Sequence, residues 1–336
     1  MRALVFEGPG LIAVRDVPAP ELVEDGDAIV RVNASGLCGS DLHPYLGREP
    51  MAVGTIPGHE AVGVVEAVGP GVEGVSVGQK VIVPFTTSCG TCEACVGGLS
   101  ARCPRGQLLG WRDPSDPSNG LHGCQAEYVR VPLAGTTLVP APEMTDSAAL
   151  LLSDNLPTAM AAVDRSRATE SLTVVGLGAV GLCAVAIAQR MGVGRIVAID
   201  PVTERAAAAM ALGAEIGVPG ASAPTQAVIE ASGSQPAQRT AIDSVAPGGV
   251  VSVISVQTAR GFPFTPIEAY DRNLTVAWGR APVRSVLESR LGFLIDVAYD
   301  IAEVIVTRRP ALSDGAVAYA AFADRAFLKA VFDPSR

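Results

Sequence analysis

Ser171–Gly192 reads SLTVVGLGAVGLCAVAIAQRMG. It opens as a β-branched run, passes through a glycine-dense turn and continues as an apolar, alanine-rich helix pattern. Gly176, Gly178 and Gly181 stand at G-x-G-x-x-G spacing at that junction, with Ala179 and Val180 between the last two. Glycines there permit a tight turn and let a pyrophosphate approach the backbone at a helix N-terminus. The match has weight because a strand precedes it and a helix follows it.

Reading onward, RIVAID (Arg195–Asp200) predicts a second strand and TERAAAAMALG (Thr203–Gly213) a second helix. AVIEASG (Ala227–Gly233) and GGVVSVISV (Gly248–Val256) predict further buried strands. Alternation of strand and helix predicts a parallel sheet covered on both faces. Asp200 ends the second strand, where a carboxylate can hold both ribose hydroxyls of an adenosine and would repel a 2′-phosphate. NAD is therefore expected rather than NADP; the cationic Arg205 nearby weakens that preference somewhat.

Upstream the pattern changes. ALVF, LIAVRDV, DAIVRVNASG, EAVGVVEAVG, QKVIVPF and AEYVRVP are six short β-type runs before residue 135, split by Gly, Pro and Asp. They predict a barrel- or sandwich-like domain. Downstream, Ser285–Ile305 reads as one long helix and FLKAVF (Phe327–Phe332) as a terminal strand.

The totals narrow the function. The chain has 336 residues, enough for two cores, and a formal net charge of −9. No basic run suits a phosphate backbone, so no nucleic-acid partner is expected. No apolar stretch is long enough for a membrane span, and MRALVFEGPG does not read as a signal peptide. A reduced cytoplasmic location is expected, where clustered cysteines bind metal more often than they form disulfides.

Four of the seven cysteines lie in SCGTCEACVGGLSARC, spaced Cys89-x2-Cys92-x2-Cys95-x7-Cys103. Two-residue gaps let neighbouring thiolates share one ion, and tetrahedral zinc is the simplest solution; an iron–sulfur cluster is the alternative on ligands alone. Four thiolates close the shell, so the loop (88–104) is expected to be a structural clip. An open site needs other ligands. SGLCGSDLH supplies Cys38, Ser40, Asp41 and His43, and IPGHEAVGVVEAVG supplies His59 and Glu60. A thiolate, an imidazole and one oxygen ligand make a zinc site with a vacant position.

Taken together, Cys38-Gly-Ser40-Asp41, the Gly58-His59-Glu60-x2-Gly63-x5-Gly69-x2-Val72 run, the four-cysteine loop and the glycine fingerprint resemble the zinc-dependent medium-chain alcohol dehydrogenases, in order and separation along almost the whole chain. The resemblance implies a mostly-β, GroES-like catalytic domain (1–154), a doubly wound Rossmann domain (155–283) and a segment (284–336) returning to the first. It implies two zinc ions per chain, one structural and one catalytic. The catalytic ligands would be Cys38, His59 and, by motif position in LLLSDNLPTAMAA, Asp154, with Glu60 an exchangeable ligand or a neighbour of the metal. Asp41 would accept the other ring N–H of His59, fixing its tautomer. Ser40 and His43 match the family's proton relay. Phe85 and Trp111 are candidate pocket walls, and His122 reads as a loop residue. Thr158 and the backbone of Ile254, Ser255 and Val256 would border the nicotinamide.

One departure from the family is visible. Between Gly213 and Glu230 the chain is short, with room for a strand and a loop but little helix, which would thin the adenine side. The implied activity is hydride transfer between an alcohol and NAD by a homodimer or homotetramer. A formaldehyde dehydrogenase or dismutase, a polyol or amino-alcohol dehydrogenase, and a non-catalytic zinc scaffold are the alternatives. The scaffold would hold one zinc and no NADH.

Overall fold

The computed structural model describes residues 1–335, and the chain forms two compact units: Met1–Asp154 together with the segment from Pro282 onward, and Asn155–Ala281.

All six β-type runs of the first unit are strands. Arg2–Gly8 and Leu11–Asp16 form a hairpin. Ala28–Leu37 is the spine of an antiparallel sheet. It pairs on one side with Ala61–Val68, which leads to Lys80–Val83 and then Val139–Pro140. On its other side it pairs with Tyr128–Val131 near its start and Ala330–Phe332 near its end. The register slips between Val32 and Ala34, opposite Gly63. A Cβ on Gly63 would lie 2.2 Å from the Arg31 carbonyl oxygen, so the strands could not approach this closely with any other residue there.

Alternating valines bury one face of this sheet: Val30, Val32, Val65, Val81, Val83 and Val129 share a core with Leu109 and Leu138. A second core joins the hairpin to the chain's end, with Leu4, Phe6, Leu37, Tyr319, Phe322 and Phe332 in contact. Tyr319 and Phe322 come from the helix Gly315–Ala323. The long helix predicted downstream spans Val283–Ile305. Among the described residues, no helix is long and apolar enough to cross a membrane.

The second unit is a six-stranded, all-parallel sheet in the spatial order Glu215–Ile216, Arg195–Ile199, Ser171–Val175, Thr225–Glu230, Val245–Val253, Thr275–Trp278. In chain order this is 3-2-1-4-5-6, the doubly wound arrangement in which ligands sit beyond the strands' carboxyl ends where the winding reverses. The last strand and the helix Gln235–Ser244 add to the elements predicted from the sequence. Gly176 takes φ +92°, and a Cβ on Gly181 would stand 1.9 Å from the Gly176 carbonyl oxygen. The fingerprint glycines thus serve the turn and the close seat of the helix Ala179–Arg190 on it.

The short segment behaves as expected. Residues 217–224, between Glu215–Ile216 and Thr225–Glu230, contain no helix. Gly217 lies flat on the sheet, where a Cβ would meet Val197 at 2.5 Å and Ile199 at 2.8 Å. A loop covers two apolar side chains there without a crossover helix.

Candidate functional site

The four-cysteine loop leaves the sheet after Lys80–Val83 and is rooted by polar contacts. Ser88 N–H donates to Thr137 Oγ1 at 3.0 Å, and Thr136 Oγ1 donates to the Ser88 carbonyl at 2.6 Å. Gly90 and Gly98, both at positive φ, turn the chain back on itself around the short helix Glu93–Val96. The sulfurs of Cys89, Cys92, Cys95 and Cys103 all lie within 4.8 Å of one another, and all seven cysteines are free thiols. Backbone N–H groups of Thr91 and Cys92 hold the Cys89 thiol down at about 6, while burial and the neighbouring thiols push Cys95 up to about 12. Such a set stays fully ionised only around a cation, and four thiolates suit tetrahedral zinc with no position to spare.

A second set converges elsewhere in the same unit. Cys38 follows the strand Ala28–Leu37; His59 and Glu60 immediately precede Ala61–Val68; Asp154 stands just beyond the helix Asp146–Leu151. Ligand atoms of Cys38, His59, Glu60 and Asp154 lie within 4.8 Å of one another. Asp154 Oδ2 is 3.7 Å from both Cys38 Sγ and His59 Nε2. Asp41 is buried beside them: its Oδ1 accepts from His59 Nδ1 at 3.2 Å and its Oδ2 from the Cys38 N–H at 2.9 Å. With Nδ1 engaged by Asp41, Nε2 is the ring nitrogen turned towards the thiol and the carboxylate. Burial raises the Cys38 pKa despite the help of His59. Burial would lower that of His59, but the Asp41 carboxylate and bonds to Asp154, Asp41 and Cys38 hold it well above the ordinary value.

The residues fit a zinc ion. One thiol, one correctly oriented imidazole and two buried carboxylates form a mixed S/N/O set, and packing these acids together without a cation is costly. Ser40 Oγ is 3.4 Å from both Cys38 Sγ and His59 Nε2, so it overlooks the ligand atoms directly. The Phe85 ring meets the His59 ring edge-on, centroids 6.0 Å apart. His43 sits on the short helix Leu42–Tyr45; its buried Nδ1 has no partner, and burial, then Arg48, lower its pKa. The structure records no hydrogen bond between Ser40 and His43. Trp111 joins the apolar cluster of Leu37, Met51 and Phe332, its Nε1 donating to the Pro50 carbonyl at 3.0 Å. His122 lies on the loop between strands and accepts from the Ile56 N–H at 3.1 Å.

Nothing in the sequence singles out Lys329, yet it is the closest charged neighbour of Glu60. Lys329 Nζ lies 2.8 Å from Glu60 Oε1 and 2.5 Å from Oε2, with the lysine side chain 1% and the glutamate side chain 0% exposed. It also donates to the Leu37 carbonyl at 3.4 Å. A Cβ on Gly36 would fall 1.8 Å from Glu60 Oε2, so that glycine makes room for the carboxylate. Burial raises the Glu60 pKa, opposed by Lys329.

In the second unit, the glycine fingerprint, Asp200 and Ile254–Val256 directly follow the parallel strands Ser171–Val175, Arg195–Ile199 and Val245–Val253. Gly178 caps the helix Ala179–Arg190, whose first turn carries Val180 and Gly181. Asp200 binds the loop itself: Oδ2 accepts from Leu177 N–H at 2.7 Å and Oδ1 from Val202 N–H at 2.8 Å. Each oxygen keeps a further lone pair for a ribose hydroxyl. Arg205 is in the following helix, Thr203–Ala211, and Thr158 in the helix Asn155–Ser166. Ile254–Val256 continues from Val245–Val253, and Ile254 N–H donates to the Glu230 carbonyl at 3.1 Å. Glu230, also not foreseen, ties this edge together. Its carboxylate accepts from Ser232 N–H at 2.8 Å, Gly233 N–H at 2.9 Å and Gln257 Nε2 at 3.1 Å, and from the Ser255 hydroxyl.

Comparison with known proteins agrees with both units. Residues 24–143 match the alcohol dehydrogenase GroES-like domain and residues 179–283 the zinc-binding dehydrogenase domain. Zinc-type alcohol dehydrogenase B of Aspergillus flavus is 35% identical, covering 91% of this chain and 77% of that protein. The medium chain reductase/dehydrogenase ucsI of an Acremonium species is 42% identical, covering 81% of this chain and 98% of that protein. The solved structure of alcohol dehydrogenase TADH from Thermus sp. ATN1 superposes with a TM-score of 0.90 at 35% identity, covering 99% of each chain. With a GroES-like sheet, a doubly wound dinucleotide fold and relatives of this kind along nine-tenths of its length, the chain belongs to the zinc-dependent medium-chain alcohol dehydrogenases, a family of oxidoreductases.

Proposed function

We infer that this chain oxidises a small alcohol, and reduces the matching carbonyl, with NAD as the hydride carrier and two zinc ions per chain. The observation that carries this reading is the second ligand cluster: Cys38, His59 and Asp154 meet with Asp41 on the imidazole's far nitrogen and the Ser40 hydroxyl facing the ligand atoms. When bound, zinc supplies Lewis acidity to the substrate oxygen and the nicotinamide supplies the hydride acceptor. The remaining work falls to the protein's own groups. Ser40 Oγ takes the hydroxyl proton of the alcohol as it releases its own. His43, its pKa lowered by burial and then by Arg48, is assigned the onward acceptor through its Nδ1; with no direct hydrogen bond between the two residues, the proton must cross a hydroxyl or water between them. Phe85 gives the site an apolar wall beside His59. The test is zinc content together with NADH formation across a panel of primary, secondary and polyhydric alcohols; a loaded protein that turns over none of them refutes the reading.

Asp200 carries the choice of NAD. At the end of the second parallel strand its carboxylate would repel a 2′-phosphate, so Asp200→Ala is expected to shift the ratio of kcat/KM for NAD over NADP towards NADP by about tenfold or more, the scale of one lost charge contact. Because Asp200 also holds Leu177 and Val202, some loss with NAD itself is expected. An unchanged ratio would remove Asp200 from the specificity role.

The four-thiolate loop is assigned the structural ion. Cys92→Ser is expected to lower zinc from about two to about one per chain and to lower the thermal midpoint. The rate per folded molecule should stay near that of the parent. Loss of turnover in a fully folded Cys92→Ser protein would contradict a structural role.

A further inference from the structure

Behind Asp41 the structure continues a line of buried polar groups. Gln125 is 0% exposed and its amide is clamped on both ends. Its Nε2 lies 3.1 Å from the Gly36 carbonyl and 3.4 Å from Asp41 Oδ2, and its Oε1 lies 2.8 Å from the hydroxyl of Tyr319, also 0% exposed. Gly58, at φ +88°, leaves space for this side chain, since a Cβ there would meet Gln125 Cγ at 2.5 Å. The Tyr319 ring is held against Tyr45, centroids 5.3 Å apart.

We propose that Tyr319 and Gln125 are positioning residues for the candidate metal centre, forming a hydrogen-bonded chain Tyr319→Gln125→Asp41←His59, with its donors converging on Asp41, that sets the orientation of the Asp41 carboxylate and so the tautomer of His59. The direction follows from donor and acceptor chemistry. The Gly36 carbonyl and the Asp41 carboxylate only accept, so the amide must turn its NH2 to them. That leaves Oε1 facing Tyr319, and the phenol must donate. A flipped amide would set its oxygen against two acceptors with no proton between them. Asp41 then takes N–H donors from Gln125, Cys38 and His59, and the imidazole turns its Nε2 towards Cys38 and Asp154. Tyr319 comes from the chain's last helix, 278 positions beyond Asp41 in number, so the C-terminal segment reaches the ligands through side-chain polarity.

This inference rests on the metal-site reading, and the test separates the two. Tyr319→Phe removes only the terminal hydroxyl and leaves the buried Gln125 Oε1 without its donor, loosening the amide that bears on Asp41; Gln125→Met keeps the volume and removes the relay. Zinc affinity is measured by competition with a chromophoric chelator, and His59→Ala identifies the ion belonging to this site. Each single variant is expected to weaken that ion about tenfold, the scale found for outer partners of metal-bound histidines. The double variant should be about tenfold weaker as well, because a chain broken once transmits nothing further. Thr173→Val, which removes a buried hydroxyl pair with Thr225 in the other unit, controls for general destabilisation and should leave the affinity unchanged. Wild-type affinity in Tyr319→Phe, or losses that multiply in the double variant, would overturn the chain while leaving the site standing. Full zinc content in His59→Ala would overturn the site, and the chain with it.

Discussion

Alanine at Cys38 or at His59 is expected to reduce NADH formation by at least about a thousandfold in a protein that still folds. The size follows from what is removed. A metal ion contributes several kcal/mol of charge stabilisation at the substrate oxygen, and each 1.4 kcal/mol is a factor of ten in rate. In a candidate set where His59 Nε2 and Cys38 Sγ both lie 3.7 Å from Asp154 Oδ2, losing one proposed ligand would leave too few donors to hold an ion. The fold should survive because neither side chain belongs to the apolar clusters that close the sheet. Their backbones are fixed independently, Cys38 through its N–H on Asp41 and the His59 region through Gly58, whose carbonyl accepts from Cys124 N–H at 2.9 Å. Steady-state assays read alongside circular dichroism and zinc content decide the matter. A folded Cys38→Ala protein that kept most of its turnover would end the catalytic-zinc reading.

Much of the architecture was legible because its signals are local. A β-branched run bounded by glycine, or a glycine turn between strand and helix, needs only neighbouring residues to be recognised, and the runs from Ala3 to Pro132 and from Ser171 to Val253 are of that kind. The candidate ligands announce themselves for a similar reason. Cys38 and His59 each stand in a short motif, and four cysteines within fifteen positions are hard to read otherwise. What surrounds the ligands is different. Lys329 stands just before the strand Ala330–Phe332, in no motif, and it is buried against Glu60, 269 positions away. Gln125 and Tyr319 have no motif at all; their roles exist only because the turn at Gly58 and the helix Gly315–Ala323 bring them to Asp41. Glu230 reads as a strand residue, and only the returning chain at Ser255–Gln257 shows what its carboxylate holds. Long-range pairing of buried polar groups leaves no periodicity, so it becomes visible only in three dimensions.

Lys329→Met is expected to destabilise the protein by about 3–5 kcal/mol, the largest stability effect at any single charged position discussed for this chain. Methionine fills nearly the same volume, so packing is not the cause. The cause is Glu60, which would keep its carboxylate at 0% exposure with its ammonium partner gone. Taking a charge out of water costs several kcal/mol, and here Lys329 repays that cost at 2.8 Å on one oxygen and 2.5 Å on the other. Two further consequences separate this account from simple loss of a lysine. First, Glu60→Gln in the Lys329→Met background removes the stranded charge and should recover most of the lost stability, since an uncharged pair of similar shape has nothing to desolvate. Second, the deficit should be larger in protein stripped of metal than in zinc-loaded protein, because an ion among Cys38, His59 and Asp154 offsets part of the Glu60 charge. Urea unfolding of the three proteins, with and without zinc, measures all of this. If Lys329→Met alone unfolds at the wild-type midpoint, the pair contributes nothing net. If the double variant is as unstable as the single, the loss comes from the lysine's own packing and its bond to the Leu37 carbonyl. In either case Glu60 would be held in place by the metal side of the site alone.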